Sequence, residues 1–556
     1  MPHPVIEFKN FSFRYASQQE ATLKDINLSV ERGEKVLILG PSGSGKSTLA
    51  HCINGLIPFS FKGEITGSCQ IAGVETSHAS IFSLSKTVGT VLQDSDAQFV
   101  ALSVEDDIAF ALENQARTRE DMQPLVAVAA QRVGMEGFLS HVPYQLSGGQ
   151  KQKVALAGVM HEHVDILLFD EPLASLDPHS GQAAIELIDD LANDKTIVII
   201  EHRLEDVMHR PIGRVIVMDE GRIVYDGSLN DLLKSSILRA VGIREPLYLE
   251  ALRRFQPKHL NQPQVDSLDA LKFERFSLPK ISTQPKKPID DVVIEFKAVH
   301  FAYAHNQVIT DLSFKVHRGE RLAFVGQNGA GKSTIAKLMS GIERPQHGTI
   351  THHGEDIRIY SIKELGERVA YVMQNPNHML VKTFIHEEVA LALELRHLDS
   401  AEMQKRIEEV LRVCGLWSMR NWPISALSYG QRKRVTVASI LVLKPDILIV
   451  DEPTAGQDYK HYTDIMNFLN QLNATQAMAF IFITHDLHLA IEYTDRALVF
   501  ANGRLLADDR IAQVLSDPEL VEKAFLKQTS LYALAHRLQV DPAHVIDAFV
   551  AASGDA

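Results

Sequence analysis

Cysteine is scarce in this sequence of 556 residues: Cys52, Cys69 and Cys414 are the whole complement. So few exclude a disulfide scaffold, and none has metal-ligand spacing, so all three read as small buried side chains in a reducing compartment. Long hydrophobic runs are lacking too. The most apolar stretch, VTVASILVLKPDILIV, is broken by Lys444, Pro445 and Asp446, and nothing approaches the ~18 apolar residues that span a bilayer. The opening MPHPVIEFKN has neither the basic nor the apolar region of a signal peptide. The expected location is the cytoplasm, with a membrane reached only through an integral partner. Positive charge is in deficit. Lys and Arg number 56 against 70 Asp and Glu, a net charge of −14, which argues against a surface built to grip nucleic acid. With 45% hydrophobic and 23% charged residues, the chain is neither disordered nor fibrous.

What the sequence does have is a repeat. VIEFKNFSFRYA at 5–16 returns as VIEFKAVHFAYA at 293–304, and GPSGSGKST at 40–48 as GQNGAGKST at 326–334. LSGGQ at 146–150 returns as LSYGQ at 427–431, and FDEP at 169–172 as VDEP at 450–453. His202 matches His485, Gly221 matches Gly503, and PLYLEALRRF from 246 is echoed by SLYALAHRLQ from 530. A unit written twice at nearly constant spacing means two large domains rather than several small ones. The expected division is a first domain at 1–256, a linker at 257–290, a second domain at 291–540 and a tail at 541–556. The linker holds Pro257, Pro263, Pro279, Pro285 and Pro288. Proline opposes helix interiors and central strands, so an extended tether is predicted. Asp541-Pro542 reads as an N-cap with proline at the first helical position, which predicts a short terminal helix.

The residue pattern is that of an α/β fold. KVLILG, ILLFD and TIVIIEH in the first unit, and RLAFVG, ILIVD and FIFITH in the second, are short continuous apolar runs. Such runs suit strands buried on both faces of a parallel sheet. Chemistry-bearing residues stand at their C-terminal ends, where open α/β sheets bind ligands. Gly40, Pro41, Ser42, Gly43, Ser44, Gly45, Lys46, Ser47 and Thr48 form one glycine-rich phosphate loop. Gly326, Gln327, Asn328, Gly329, Ala330, Gly331, Lys332, Ser333 and Thr334 form the other. Glycines let successive N–H groups curl around phosphates, and the helix that follows adds a favourable dipole. Lys46 and Lys332 supply positive charge at the β- and γ-phosphates, and Ser47 and Ser333 offer a hydroxyl to Mg²⁺. Asp170-Glu171 and Asp451-Glu452 end two of the strands. The first acid of each pair can organise Mg²⁺ and its water; the second can polarise an attacking water. LSGGQ places Ser147, Gly149 and Gln150, and LSYGQ places Ser428, Gly430 and Gln431, at a helix N-terminus suited to a terminal phosphate.

At these residues the chain resembles the ATP-binding subunits of ABC transporters, with two nucleotide-binding domains fused. The resemblance covers all but the linker and the extreme tail. It implies a tandem P-loop NTPase fold, each domain a mainly parallel core sheet with an antiparallel β subdomain and a helical subdomain. It further implies ATP and Mg²⁺ as ligands and ATP hydrolysis as the reaction. In that family the cassettes pair head to tail, so one site would use Lys46, Asp170, Glu171 and His202 with Ser428 and Gly430. The other would use Lys332, Asp451, Glu452 and His485 with Ser147 and Gly149. Gln93 and Gln374 resemble the glutamine that touches Mg²⁺ and reports to the membrane partner. Asp177 and Asp458 resemble aspartates that communicate across the dimer. Tyr15 and Tyr303 resemble the aromatic that stacks on adenine, although as bare residues they would pass for strand-packing aromatics. Tyr429 stands where the first unit has Gly148, a departure that requires its ring to point away from phosphate. With both glutamates and both histidines kept, both sites are expected to hydrolyse ATP. The remaining histidines, including His352 with His353 and His161 with His163, read as solvated surface, and no metal site is expected among them.

VEDDIAFALEN at 104–114, IHEEVALALEL at 385–395 and DEPTAGQD resemble energy-coupling factor (ECF) ATPases, which drive vitamin and metal-ion uptake. Fused sugar importers usually degrade the second phosphate loop; here both are intact. The ECF resemblance implies a peripheral protein on the cytoplasmic face of the cell membrane, held by integral partners: a coupling protein and a substrate-binding membrane subunit. Glu105, Asp106, Asp107, Glu387 and Glu388 either meet basic residues of coupling helices or simply favour the helix N-termini they occupy. A ribosome-associated ATPase of ABC-F type is the alternative, but its linker is longer, helical and basic, and the acidic charge here disfavours RNA.

Overall fold

The computed structural model describes residues 4–92, 98–160, 164–174, 176–191, 195–273, 278, 291–304, 306–454 and 459–553. The chain divides into two compact units, each α/β. In the first, Arg222–Gly227, Arg214–Asp219, Lys35–Leu39, Thr196–Ile200, Ile166–Asp170 and Val88–Val91 lie side by side in that order. All neighbours run parallel except the first pair, which is a hairpin. In the second, Arg504–Arg510, Arg496–Ala501, Arg321–Gly326, Ala479–Ile483, Ile447–Asp451 and Val369–Val372 repeat the order. Every residue of Ile166–Asp170 and Ile447–Asp451 is buried, as continuous apolar runs require of strands covered on both faces.

An antiparallel sheet accompanies each core sheet: Leu23–Val30, Ile6–Tyr15, Gly63–Ile71 and Val74–Glu75 in the first unit, and Asn306–His317, Val292–Tyr303, His347–His352 and Glu355–Asp356 in the second. These strands alternate buried and exposed side chains. Their inner residues, Phe8, Phe13 and Leu28 among them, share a core with Val36, Ile38 and Ile166 of the parallel sheet and with Leu49 and Ile53 of the helix after the phosphate loop. Three helices form the helical part of each unit: Val104–Asn114, Arg119–Arg132 and Gly148–Val159, then Ile385–Glu394, Ser400–Val413 and Tyr429–Leu441. All three cysteines are buried and none is in a disulfide. Among the described residues no helix is long and apolar enough to cross a membrane.

The division between units departs from a simple boundary after 256. The first unit takes Met1–Pro246 and Leu260–Leu271, and the second takes Leu247–His259 and Lys272–Ala556. The helix Leu247–Phe255 packs on Ser530–Leu538 and Pro542–Ser553 of the second unit, with Tyr248 N–H donating to Ser530 Oγ at 3.0 Å and the Arg254 guanidinium over the Phe549 ring at 4.2 Å. The start of the proline-rich segment is not an extended tether. Val265 and Leu271 are fully buried, and the Pro263 carbonyl accepts from Asn230 while Val265 N–H donates back to Asn230 Oδ1 at 2.8 Å. Proline's missing N–H and fixed φ suit such a bonded turn as well as they suit an open chain. Pro279, Pro285 and Pro288 lie outside the described residues. The terminal helix begins at Pro542 and buries Val545, Ile546 and Phe549, so residues 542–553 are part of a core.

Candidate functional site

The phosphate loops follow the strands Lys35–Leu39 and Arg321–Gly326 and lead into the helices Lys46–Ile53 and Lys332–Met339. Gly45 and Gly331 sit at φ of 101° and 96° immediately before those helices, a region that side chains with a Cβ avoid. The loops curl so that each lysine is buried and returns to its own loop. Lys46 Nζ donates to the Gly40 and Pro41 carbonyls at 2.8 and 2.9 Å, and Lys332 Nζ donates to Gly326 and Gln327 at 2.7 and 2.9 Å. Ser42, Gly43, Asn328 and Gly329 are exposed at the loop crowns, where a phosphate can approach the backbone. Ser44 and Ala330 face inward instead. Thr48 accepts or donates across 3.1 Å to the Tyr15 hydroxyl, which fixes that ring beside the loop; Thr334 is likewise buried.

The strands Ile166–Asp170 and Ile447–Asp451 deliver their terminal aspartates to the loop serines. Ser47 Oγ lies 3.4 Å from Asp170 Oδ1, and Ser333 Oγ lies 2.9 Å from Asp451 Oδ2. A hydroxyl and a carboxylate converging in this way are hard oxygen donors of the kind Mg²⁺ takes beside phosphates, so both pairs fit that ion. The next residues, Glu171 and Glu452, have φ of 49° and 46°. Left-handed backbone at a glutamate is strained and needs support. The support is the neighbouring strand: Glu171 N–H donates to Ile200 at 2.9 Å and Glu452 N–H to Ile483 at 2.8 Å. The strain aims each carboxylate at the histidine two residues beyond the end of that strand. His202 Nδ1 is 3.7 Å from Glu171 Oε1, and His485 Nε2 is 3.4 Å from Glu452 Oε1.

The two sites differ in charge. Burial pushes Asp170 up to about 6, helped by the Glu171 charge. Burial also pushes Glu171 up, but His202, Lys46 and Arg203 pull it further down, so it lies below its ordinary value. Glu452 goes the other way: burial and the Asp451 charge raise it against the pull of Lys332 and Lys433. Lys433 is 1% exposed, and burial lowers its ammonium. It donates to the Glu452 main-chain carbonyl. The matching residue in the first unit is Gln152, whose amide donates to the Pro172 carbonyl at 2.6 Å. Buried Glu201, which accepts from Leu173 and His202 N–H groups, is matched by Thr484. Tyr371, matched by Thr90, donates to Asp451 Oδ2 at 2.8 Å. Lys433, Gln152, Glu201 and Tyr371 were not singled out by motif; the signal was available in the positions where the repeat changes side-chain class.

Other expected residues fall as follows. Ser147 and Ser428 are N-caps of Gly148–Val159 and Tyr429–Leu441, each in a reciprocal capping box with Gln150 or Gln431, and Gly149 and Gly430 occupy the first turns. Gln374 is exposed just past Val369–Val372. Asp177 caps its helix by accepting from the Ser180 N–H and hydroxyl at 2.9 and 2.8 Å. Tyr303 is 39% exposed at a strand end, with Lys337 Nζ 5.9 Å from its ring. Gln93, Asp458, His161 and His163 lie outside the described residues, as does the Tyr429 side chain. Two of the acids on the helices at 104–114 and 385–394 are not available to a partner. Asp107 accepts from Val100 and Ala101 N–H groups at 3.0 and 3.3 Å, and Glu388 from Val381 and Lys382 at 2.9 and 2.6 Å; both are buried. Glu105, Asp106 and Glu387 are exposed. Of the histidine pair expected at the surface, His353 is exposed, but His352 is 1% exposed and so not solvated.

A family model described as "ABC transporter" matches residues 23–174 and again 309–455. A second, described as "ATP-binding cassette cobalt transporter", matches 235–301. A protein of Clostridium perfringens is 50% identical over 556 residues, 98% of either chain. One of Streptococcus mutans is 51% identical over 544 residues, 97% of either chain. One of Vibrio parahaemolyticus is 47% identical over 547 residues, 97% of this chain and 94% of its own. Each is described as a "Putative ABC transporter ATP-binding protein". A solved structure from Clostridium perfringens, described as cbiO1, part of the ABC transporter complex cbiONQ, is 28% identical with a TM-score of 0.40 and covers 45% of this chain and 100% of its own.

Proposed function

The chain belongs to the ATP-binding proteins of ABC transporters, and from that premise we propose that it energises import of a vitamin or a metal ion through an ECF-type transporter. It is an ATPase coupled to transport. The observation that carries the reading is the doubled set of phosphate-loop lysine, serine–aspartate pair, strained glutamate and histidine, complete in each unit. The match to a model described for cobalt transport over 235–301 supports a metal-ion cargo. Nothing in the comparisons favours the ribosome-associated alternative.

In this reading Lys46 and Lys332 exchange loop carbonyls for the β- and γ-phosphates of ATP, and the exposed loop N–H groups complete the cradle. Ser47 with Asp170, and Ser333 with Asp451, would hold Mg²⁺, which would neutralise phosphate charge. Glu171 and Glu452 orient the attacking water, and His202 and His485 hold those carboxylates and face the γ-phosphate. Tyr15 and Tyr303 offer a ring face to adenine. In each unit the partner surface lies just before the helix Val104–Asn114 or Ile385–Glu394. Val100, Leu102 and Val381 are 61%, 85% and 71% exposed there, beside the acids Glu105, Asp106 and Glu387. Apolar side chains at that exposure, beside exposed acids, suit a coupling helix carrying basic residues.

The test is uptake by cells that depend on the chain. Replacing Glu171 and Glu452 together by Gln is expected to abolish accumulation of the cargo while the chain still fractionates with membranes. Undiminished accumulation of every vitamin and divalent metal tested would refute the import reading.

A further inference from the structure

His352 ends the strand His347–His352 and His353 follows it, and both rings turn to one carboxylate. His352 Nε2 lies 3.2 Å from Asp446 Oδ2, and His353 Nε2 lies 3.7 Å from the same atom. The three ligand atoms sit within 4.8 Å of one another. His352 is 1% exposed; its Nε2 is engaged only with the Asp446 carboxylate, and its Nδ1 has no hydrogen-bond partner. The imidazole is thus buried, aimed at the carboxylate and incompletely satisfied, a state that native interiors rarely tolerate. His353 and Asp446 are each about half exposed, at 42% and 43% of their side chains, so the cluster is open to ions from solution.

The first unit shows the same place without the histidines. Ile71 and Ala72 stand where the second unit has His352 and His353, and Asp165 stands where it has Asp446. There the aspartate is taken by an arginine: Arg32 Nη1 and Nη2 donate to Asp165 at 2.8 and 3.1 Å. In the second unit the matching arginine, Arg318, is paired instead with Asp291 at 3.8 Å, and Asp446 faces imidazoles. Two substitutions and one change of partner convert a surface ion pair into a set of nitrogen and oxygen donors.

We propose that His352, His353 and Asp446 bind one divalent transition cation, with Zn²⁺ as the probe that suits them. Two imidazoles and one carboxylate are the donor set of borderline cations such as Zn²⁺ and Co²⁺, not of Mg²⁺ or Ca²⁺. Ligands about 2.1 Å from a tetrahedral ion stand about 3.4 Å apart, and the 3.2 and 3.7 Å separations bracket that value. Solvent supplies the remaining position. Asp291 Oδ1, 3.9 Å from His353 Nδ1, is placed as the outer carboxylate that orients the ring. Asp446 leads into Ile447–Asp451 at the end opposite Asp451, so the site is separate from the nucleotide residues and its existence does not rest on the transport reading.

The experiment uses the full chain, stripped with a chelator and free of nucleotide, titrated with Zn²⁺ by calorimetry and with Co²⁺ by visible absorption. One saturable equivalent is expected, with a raised melting midpoint on Zn²⁺ addition. His353→Ala and Asp446→Asn are expected to weaken binding at least about a hundredfold, and Asp291→Asn about tenfold. His352→Ile, which installs the first unit's residue and so keeps the core filled, is expected to abolish the visible Co²⁺ spectrum. Absence of saturable Zn²⁺ binding, or binding unaltered in His353→Ala, Asp446→Asn and His352→Ile, overturns the proposal.

Discussion

The Lys433 ammonium, buried in the second unit, donates to the main-chain carbonyl of Glu452. The corresponding side chain in the first unit, Gln152, is neutral and donates one residue further on, to Pro172. One cation therefore stabilises the strained turn of one glutamate and not the other. The buried charge that accompanies the first glutamate is Glu201, of the opposite sign. Two units with the same motifs thus hold their candidate bases in different fields.

Lys433→Gln is expected to lower hydrolysis at the second site about tenfold, because the turn loses a charge-assisted bond worth about 1.4 kcal/mol. Measured in a Glu171→Gln background, where only the second site turns over, kcat should fall with little change in KM. Gln152→Lys in the reciprocal background should not reproduce the effect, since its partner is a different carbonyl. An unchanged kcat for Lys433→Gln would remove Lys433 from the site.

Glu171→Gln and Glu452→Gln should each lower steady-state ATPase of the full chain, because both glutamates are present, strained and paired with a histidine. A positioned base contributes about 10²- to 10⁴-fold at its own site, so each variant should retain only the share of the unaltered site. A single variant with the rate of the parent would show that its site is silent.

Asp170 gives a pH dependence with a definite sign. Its folded value of about 6 exceeds the ordinary 3.8, so proton uptake favours the folded, nucleotide-free state. That contribution is complete below about pH 4 and is lost as pH rises through 6. Asp170→Asn cannot ionise and should stabilise the nucleotide-free chain at pH 7.5 by about 3 kcal/mol. Scanning calorimetry should show the gain shrinking towards zero between pH 6 and 4. A gain of equal size at both ends would assign it to packing instead.

The fold was legible because its signals are local. Short continuous runs such as ILLFD and ILIVD suit strands covered on both faces, and the glycines of each phosphate loop mark the strand-to-helix turn. The serine–aspartate pairs were legible because the repeat carries them in register. What escaped were partners distant in sequence. Nothing near Lys433 says that its helix brings it under Glu452, and nothing near His352 says that Asp446 will stand beside it. The linker misled because proline marks a turn as readily as a tether: Pro263 is bonded to Asn230, which the local sequence cannot announce. The acidic helix starts hid a division of labour that only burial shows.

That division makes the partner surface testable with paired variants. Asp107 and Glu388 tie down the loops Val100–Ala101 and Val381–Lys382, so reversing them to Lys should break those loops and lower the melting midpoint. Glu105 and Glu387 are exposed. Glu105→Lys with Glu387→Lys should leave the midpoint and basal ATPase within error, since surface substitutions rarely exceed about 0.5 kcal/mol. The same pair should reduce co-purification with integral membrane proteins, because a basic coupling helix would then meet like charge. Recovery at high salt is expected, as screening weakens repulsion between exposed charges. Undiminished co-purification at low salt would separate these acids from the partner surface and leave the exposed Val100, Leu102 and Val381 side chains to carry it alone.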